Sequence, residues 1–146
     1  MPRTPRCQLQ EGIHHVTARG TGGIPIFVTD LDRLDFLSLL QSVVREMAWL
    51  CHAYCLLGTH YHLVIDTPLE RLSPGMRRLN GTYARRFNRR HGRRGHLFES
   101  RYAAWRVHDD PHLTATLTYV FDNPVRAGLC SNAQDWPWSN AGRATG

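Results

Sequence analysis

Two histidines one residue apart, His60 and His62, interrupt the apolar run LLGTHYHLVID at residues 56–66. On an extended strand alternate side chains share a face, so the pair projects together with Cβ atoms roughly 6.5–7 Å apart. That spacing lets both imidazoles reach one metal ion, which suits the pattern better than two satisfied core histidines on one face. Tyr61, Leu63 and Ile65 then point into a helix-covered core, and the histidine face is expected to be the open face of the sheet. A metal site that cuts phosphate esters also needs a nucleophile. In TLTYVFDNPV, Tyr119 falls on a helix side with His112, Thr116 and Asn123, roughly 100° from the apolar stripe of Leu113, Leu117, Val120 and Phe121. Asn123 lies one turn after Tyr119, close enough for a hydroxyl and an amide oxygen to meet one ion. It also precedes Pro124, so a simple helix terminator is the other reading.

Charge is concentrated rather than spread. All 18 basic residues are arginine, and eleven of them lie between Arg71 and Arg106, a span whose only acid is Glu99. That span carries about +10 and the remainder about −4. Arg77, Arg78, Arg85, Arg86, Arg89, Arg90, Arg93, Arg94 and Arg101 are interleaved with Tyr83, Phe87, Phe98, Tyr102 and Trp105. Guanidinium forks pair with phosphates and aromatic faces stack on bases, so this segment suits a polyanion, whereas an ordinary solvated face mixes both signs.

The elements that must position these groups follow from periodicity. GIHHVTARG alternates as a strand; a helix over about 30–48 is capped by Thr29 or Asp30. LCHAYCLL and THYHLVID read as antiparallel neighbours joined through Gly58 and Thr59. LSPGMRRLNGTYARRFNRRH predicts a helix over about 74–91, with Ser73 as cap, Pro74 first, and Leu72, Met76, Leu79, Tyr83 and Phe87 as its apolar stripe. RYAAWRV is a strand, and DDPHLTATLTYVFDNPV opens a last helix over about 111–122 with Asp110 as cap. The order βαββαβα predicts an α+β fold, a central antiparallel sheet with helices packed on one face. At 146 residues the chain fits one domain, residues 1–146. No apolar run is long enough for a membrane span, and MPRTPRCQLQ lacks a signal-peptide core, so the expected location is cytoplasmic. Cys7, Cys51, Cys55 and Cys130 form no CxxC framework; Cys51 and Cys55 are expected to pack within a strand.

Three stretches, AYCLLGTHYHLVIDTP, MRRLNGTYARRFNRRHGRRGHLFESRY and YVFDNPVRAGL…WPWS, together resemble the REP-associated tyrosine transposases, relatives of the insertion-sequence transposases in the HUH single-strand endonuclease superfamily. The resemblance runs from HHVTARG to WPWSN. It implies a ferredoxin-like fold, a divalent ion (Mg²⁺ or Mn²⁺) held by His60 and His62, Tyr119 as the nucleophile, and Asn123 at the position of a third ligand. The run before NPV reads VFD here, which leaves the part of Asp122 open. The implied activity is a single-strand DNA endonuclease and strand transferase acting on hairpin-bearing DNA through a 5′-phosphotyrosine intermediate. One nucleophilic tyrosine per chain means one cleavage per site, so complete excision calls for two sites, two rounds or a homodimer, with a monomer left open. Two other readings use fewer of these residues. A non-catalytic single-stranded nucleic-acid-binding protein gives His60, His62 and Tyr119 no work, and a zinc-dependent hydrolase needs no Tyr119.

Overall fold

In the computed structural model, residues 11–68 and 70–143 are described; Cys7 and the two ends of the expected 1–146 domain lie outside them. The elements are β1 (Gly12–Arg19), α1 (Asp30–Met47), β2 (Leu50–Leu56), β3 (His60–Thr67), α2 (Leu72–His91), β4 (Ala103–Arg106) and α3 (Asp110–Arg126), the expected βαββαβα order. The four strands form one antiparallel sheet in the order β2-β3-β1-β4. Among the described residues no helix is long and apolar enough to cross a membrane.

The expectation that the helices pack on one face is corrected. Val16 and Ala18 of β1 and Tyr61, Leu63 and Ile65 of β3 meet Phe36, Leu40 and Val43 of α1 and Met76, Leu79 and Tyr83 of α2 in one core. On the opposite face, Ala53, Cys55 and Val64 meet Val120 of α3, with Leu113, Leu117 and Phe121 alongside. The histidine face is therefore roofed by α3 rather than open. Its cause is the apolar patch that β2 and β3 present beside the histidines, which the stripe of α3 removes from water.

Helix ends follow local chemistry. Thr29 caps α1 in a reciprocal capping box with Asp32. The expected Ser73 cap is not used; α2 begins at Leu72, which is buried, with Arg71 at the cap position. Gly75 is required there, because a Cβ would approach the Trp49 ring to 2.2 Å. The cap of α3 is Asp109 rather than Asp110, its carboxylate accepting from the His112 N–H at 2.8 Å. Nor does α3 stop at Asn123, as a terminator would require; it continues through Pro124 to Arg126. Proline withholds an N–H from the carbonyl of Val120. Asn123 Nδ2 compensates, donating to Val120 O at 3.5 Å and to Tyr119 O at 3.1 Å.

The WPWSN segment covers the outer edge of β2. Trp138 O accepts from Leu56 N at 2.8 Å, Asn140 Oδ1 from Tyr54 N at 2.9 Å, and Trp136 Nε1 donates to Leu56 O at 3.0 Å. An edge strand left bare would expose unpaired backbone groups. Cys51 and Cys55 lie in β2 as free thiols, pushed up to about 12 by burial, consistent with packing rather than chemistry.

The start of α1 and the end of α2 are tied by one buried carboxylate. Asp32 accepts from Val28 N and Thr29 N at 2.9 and 3.1 Å, from Arg90 Nε at 2.9 Å, and lies 2.9 Å from His91 Nε2. Burial alone would raise its pKa, but the two backbone donors, His91 and Arg90 together hold it below the ordinary value. Removing this acceptor strands several donors, so Asp32→Ala should lower the unfolding free energy by about 3–5 kcal/mol in urea titrations at pH 7. A loss no larger than that of an exposed surface residue would refute the tie.

Candidate active site and nucleic-acid surface

Pairing register assembles the site on the α3-facing side of the sheet. Thr17 pairs with His62 and Arg19 with His60 across β1 and β3, while His15 pairs with Trp105 across β1 and β4. His60 and His62 share this face as expected, their ring centroids 5.1 Å apart. His15, which the sequence reading did not single out, joins them. Its Nε2 lies 2.9 Å from His62 Nδ1, and the two rings stack at 5.2 Å. Burial holds His62 down to about 2, helped by the charges of His15, His60, Arg126 and Arg19. Burial likewise holds His15 and His60 down to about 4, with His112 adding to the first and Arg19 to the second. All three rings are neutral at pH 7, the form that ligates metals.

From above, α3 lowers Tyr119 onto this group. The ring stands edge-on to His15 at 5.9 Å and to His62 at 6.0 Å, yet remains 50% exposed. Arg126 lies 4.4 Å from the tyrosine ring centroid and donates to Tyr119 O at 2.8 Å, fixing the residue from its solvent side. A cleft of about 530 Å³ opens beside Tyr119, lined by His15, Thr17, Arg19, His62, Trp105, His112, Ala115 and Thr116. Asp122 is not among its lining residues.

The donor set fits a divalent ion held by two histidines. His62 Nε2 is buried without a hydrogen-bond partner among the described residues. If His62 Nδ1–H donates to His15 Nε2, the Nε2 lone pair is left for a ligand, the arrangement in which metal-bound histidines are oriented by a second hydrogen bond. His60 Nδ1 lies 3.1 Å from Thr59 Oγ1, leaving its Nε2 for the same purpose. Asn123 has its amide nitrogen tied to the backbone of α3, and its oxygen, the atom a metal would take, accepts no hydrogen bond among the described residues. Among the described residues no group of three or more His, Cys, Asp or Glu side chains is gathered for a metal.

The nine candidate nucleic-acid arginines divide into distinct groups. Arg78 pairs with Glu46 at 2.9 Å, Arg86 with Asp35 at 2.8 Å, and Arg90 with Asp32 and Asp35 at 2.9 and 2.8 Å, so these three bind α2 to α1. Arg93 folds onto Asn88 Oδ1, Gly95 O and His96 O, closing the turn after α2. Among the described residues no carboxylate lies within ion-pair distance of Arg77, Arg85, Arg89, Arg94 or Arg101. Arg77, Arg85 and Arg101 line a groove of about 790 Å³ with Asn80, Asn88 and Phe98.

The lowered histidines give the fold an acid limit. Between pH 6.5 and about 4 the unfolded chain takes up protons that His15, His60 and His62 refuse when folded, so stability is full above about 6.5 and declines as pH falls through that window. Unfolding midpoints of metal-free protein should drop across it, with the three imidazoles still neutral by NMR at about pH 5.5. Protonation of all three near the ordinary value would contradict this.

Comparison with known proteins places the family and the fold. The IS200-like transposase family profile matches residues 13–123, from β1 to Asn123. A protein of Haemophilus influenzae provisionally named a REP-associated tyrosine transposase is 28% identical over 117 residues, 73% of this chain. The match spans 66% of that relative, just short of two thirds of its length. Among solved structures, a REP-associated tyrosine transposase bound to a REP hairpin superposes with a TM-score of 0.78 at 18% identity, covering 98% of this chain and 84% of the other. A Deinococcus radiodurans protein provisionally named a transposase gives 0.55 at 15%, covering 84% of this chain and 97% of the other. These structures share the α+β fold with its four-stranded antiparallel sheet. With a match that takes in most of the chain, including both histidines and Tyr119, the protein belongs to the IS200-like transposase family.

Proposed function

We propose that this chain is a transposase that nicks and rejoins single-stranded, hairpin-bearing DNA, with Tyr119 as its nucleophile. The observation that carries the reading is the placement of a half-exposed Tyr119 edge-on to His15 and His62 beside a cleft open to solvent. The hydroxyl of Tyr119 attacks a phosphodiester; the new bond joins the tyrosine oxygen to phosphorus and the P–O3′ bond breaks. The tyrosine proton is released and the departing 3′-oxygen gains one. The product is a 5′-phosphotyrosine and a free 3′-hydroxyl, and attack by another 3′-hydroxyl reverses the step and joins strands without ATP.

His60 and His62 would hold Mg²⁺ or Mn²⁺, with Asn123 Oδ1 as the third protein ligand. When bound, such an ion supplies Lewis-acid polarisation of the phosphate. His15 orients His62 through the 2.9 Å hydrogen bond, and Arg126 keeps the Tyr119 ring from swinging outward. The groove of Arg77, Arg85 and Arg101, with Arg89 and Arg94 beside it in sequence, supplies phosphate contacts to the strand or hairpin stem. A relative with this fold was solved with a REP hairpin, which makes hairpin DNA the partner of choice here too.

Incubated with labelled hairpin DNA from the flanks of its own gene and Mg²⁺, the protein should form a covalent adduct that survives denaturing electrophoresis. Tyr119→Phe removes only the hydroxyl and should lose the adduct while retaining fold and DNA affinity; His60→Ala should lose both adduct and Mn²⁺ binding by calorimetry. An adduct formed by Tyr119→Phe would move the nucleophile elsewhere, with Tyr102 the next to test. Cleavage by the wild type with no adduct at any time would favour a water nucleophile.

The division of the arginines yields a second test. Replacing Arg77, Arg85 and Arg101 by Ala should flatten the slope of log affinity against log salt by about 2 for single strands. Replacing Arg78, Arg86 and Arg90 should instead lower stability. Equal slopes in the wild type and the first triple variant would place the DNA on another surface.

A further inference from the structure

The cleft beside Tyr119 contains groups that neither metal binding nor nucleophilic attack uses. Thr17 Oγ1 already donates to Tyr61 O and Thr116 Oγ1 to His112 O, both at 2.8 Å, so the two threonines have spent their protons. Two other lining groups have not. Arg19 is exposed, and among the described residues no carboxylate lies within ion-pair distance of it, although Arg33, Arg78, Arg86 and Arg90 are all paired. His112 Nδ1 accepts from His108 N at 3.1 Å, which puts the ring proton on Nε2. That Nε2–H is buried with no acceptor among the described residues. Among the described residues the cleft is thus lined by unspent donors and by the rings of Trp105, His15 and Tyr119, and by no carboxylate.

This inventory selects a ligand class. A cation site would carry carboxylates, and sugar hydroxyls are usually met by acceptors as well as donors. Two donors without an acid, set among aromatic rings, suit a flat group rich in acceptors and joined to an anion. The volume of about 530 Å³ lies within the range of small-ligand sites, roughly 300–1,000 Å³.

We propose that the cleft is a slot for one unpaired nucleotide, with Arg19 on its phosphate, His112 Nε2–H on a base acceptor and Trp105 as the aromatic wall. The inference rests on the reading of Tyr119 as the residue that cuts the strand, and it assigns the nucleotide next to the cut. Arg19 pairs with His60 across β1 and β3, on the face that also carries His62. A phosphate held by Arg19 is thereby kept on the side of the sheet that faces Tyr119. The slot gives the enzyme a protein-read preference at one position of the strand, in addition to whatever the hairpin contributes.

The test reads binding without cleavage. Metal-free wild-type protein is titrated with each of the four 5′-deoxynucleoside monophosphates, with deoxyribose 5-phosphate and with inorganic phosphate, following the His112 ring and Arg19 guanidinium signals by NMR. Nucleotides should shift both sets of signals and bind about fivefold or more tightly than deoxyribose 5-phosphate, the gain expected from stacking one base. Arg19→Ala should weaken every phosphate-bearing probe by about tenfold, whereas Arg45→Ala, which removes a charge from α1, should not. His112→Phe keeps a ring but removes the donor and should erase differences among the four bases; His112→Gln, which restores an N–H, should recover part of them. The proposal is overturned if no nucleotide perturbs these signals up to about 10 mM, or if inorganic phosphate binds as tightly as the nucleotides. A filled slot in a protein that forms no covalent adduct would refute the transposase reading and uphold the slot. An adduct with an empty slot would do the reverse.

Discussion

Strand β3 has to serve two faces at once, and the molecule is arranged around that constraint. Because successive side chains alternate, Tyr61, Leu63 and Ile65 must be buried under α1 and α2 if His60, His62 and Val64 are to face α3. A slip of one residue in its pairing with β1 would exchange the two sets, placing imidazoles in the main core and aromatic bulk in the cleft. The register is held on one side by β1 and on the other by β2, whose outer edge is in turn covered by the Trp136–Asn140 segment. The geometry of the candidate site is thus secured by packing on the face away from it.

The same economy governs charge. A cluster of arginines on one helix would repel itself and destabilise the fold if nothing answered it. Here the α1 side of α2 is answered by Asp32, Asp35 and Glu46, while Arg77 and Arg85, joined at a groove by Arg101 from the segment before β4, have no carboxylate within ion-pair distance among the described residues. A helix that is basic in sequence therefore presents two different surfaces, one structural and one available to a polyanion. Near Tyr119, Arg19 and Arg126 repeat the pattern on a smaller scale: among the described residues no carboxylate lies within ion-pair distance of the first, and the second is committed to Tyr119.

Those features that depend on local periodicity were legible in the chain alone. The alternation of THYHLVID, the apolar stripe of α2 and the separation of Tyr119 from the stripe of α3 all correspond to what the structure shows. What depends on strand pairing was not. His15 lies in a histidine doublet whose neighbour His14 points into the other face, and only the β1–β3 register reveals which of the two meets His62. The roof formed by α3 was hidden for the same reason, since Ala53, Cys55 and Val64 become one apolar patch only after β2 and β3 pair. Helix ends shifted by a residue or two where neighbouring side chains could cap equally well, as with Asp109 and Asp110. Helix continuation through Pro124 depended on Asn123 supplying a donor that a sequence rule does not count.

The account stands most directly on where the DNA is attached. Adduct formed with hairpin DNA and Mg²⁺ can be digested with nuclease and trypsin, and the peptides mapped by mass spectrometry. Cleavage after Arg106 and Arg126 leaves Val107–Arg126, a peptide whose one tyrosine is Tyr119. The account predicts residual nucleotide on that peptide, localised to Tyr119 by fragmentation. Nucleotide found instead on the Tyr102–Arg106 peptide, or strand cleavage with every tyrosine peptide unmodified, would contradict it.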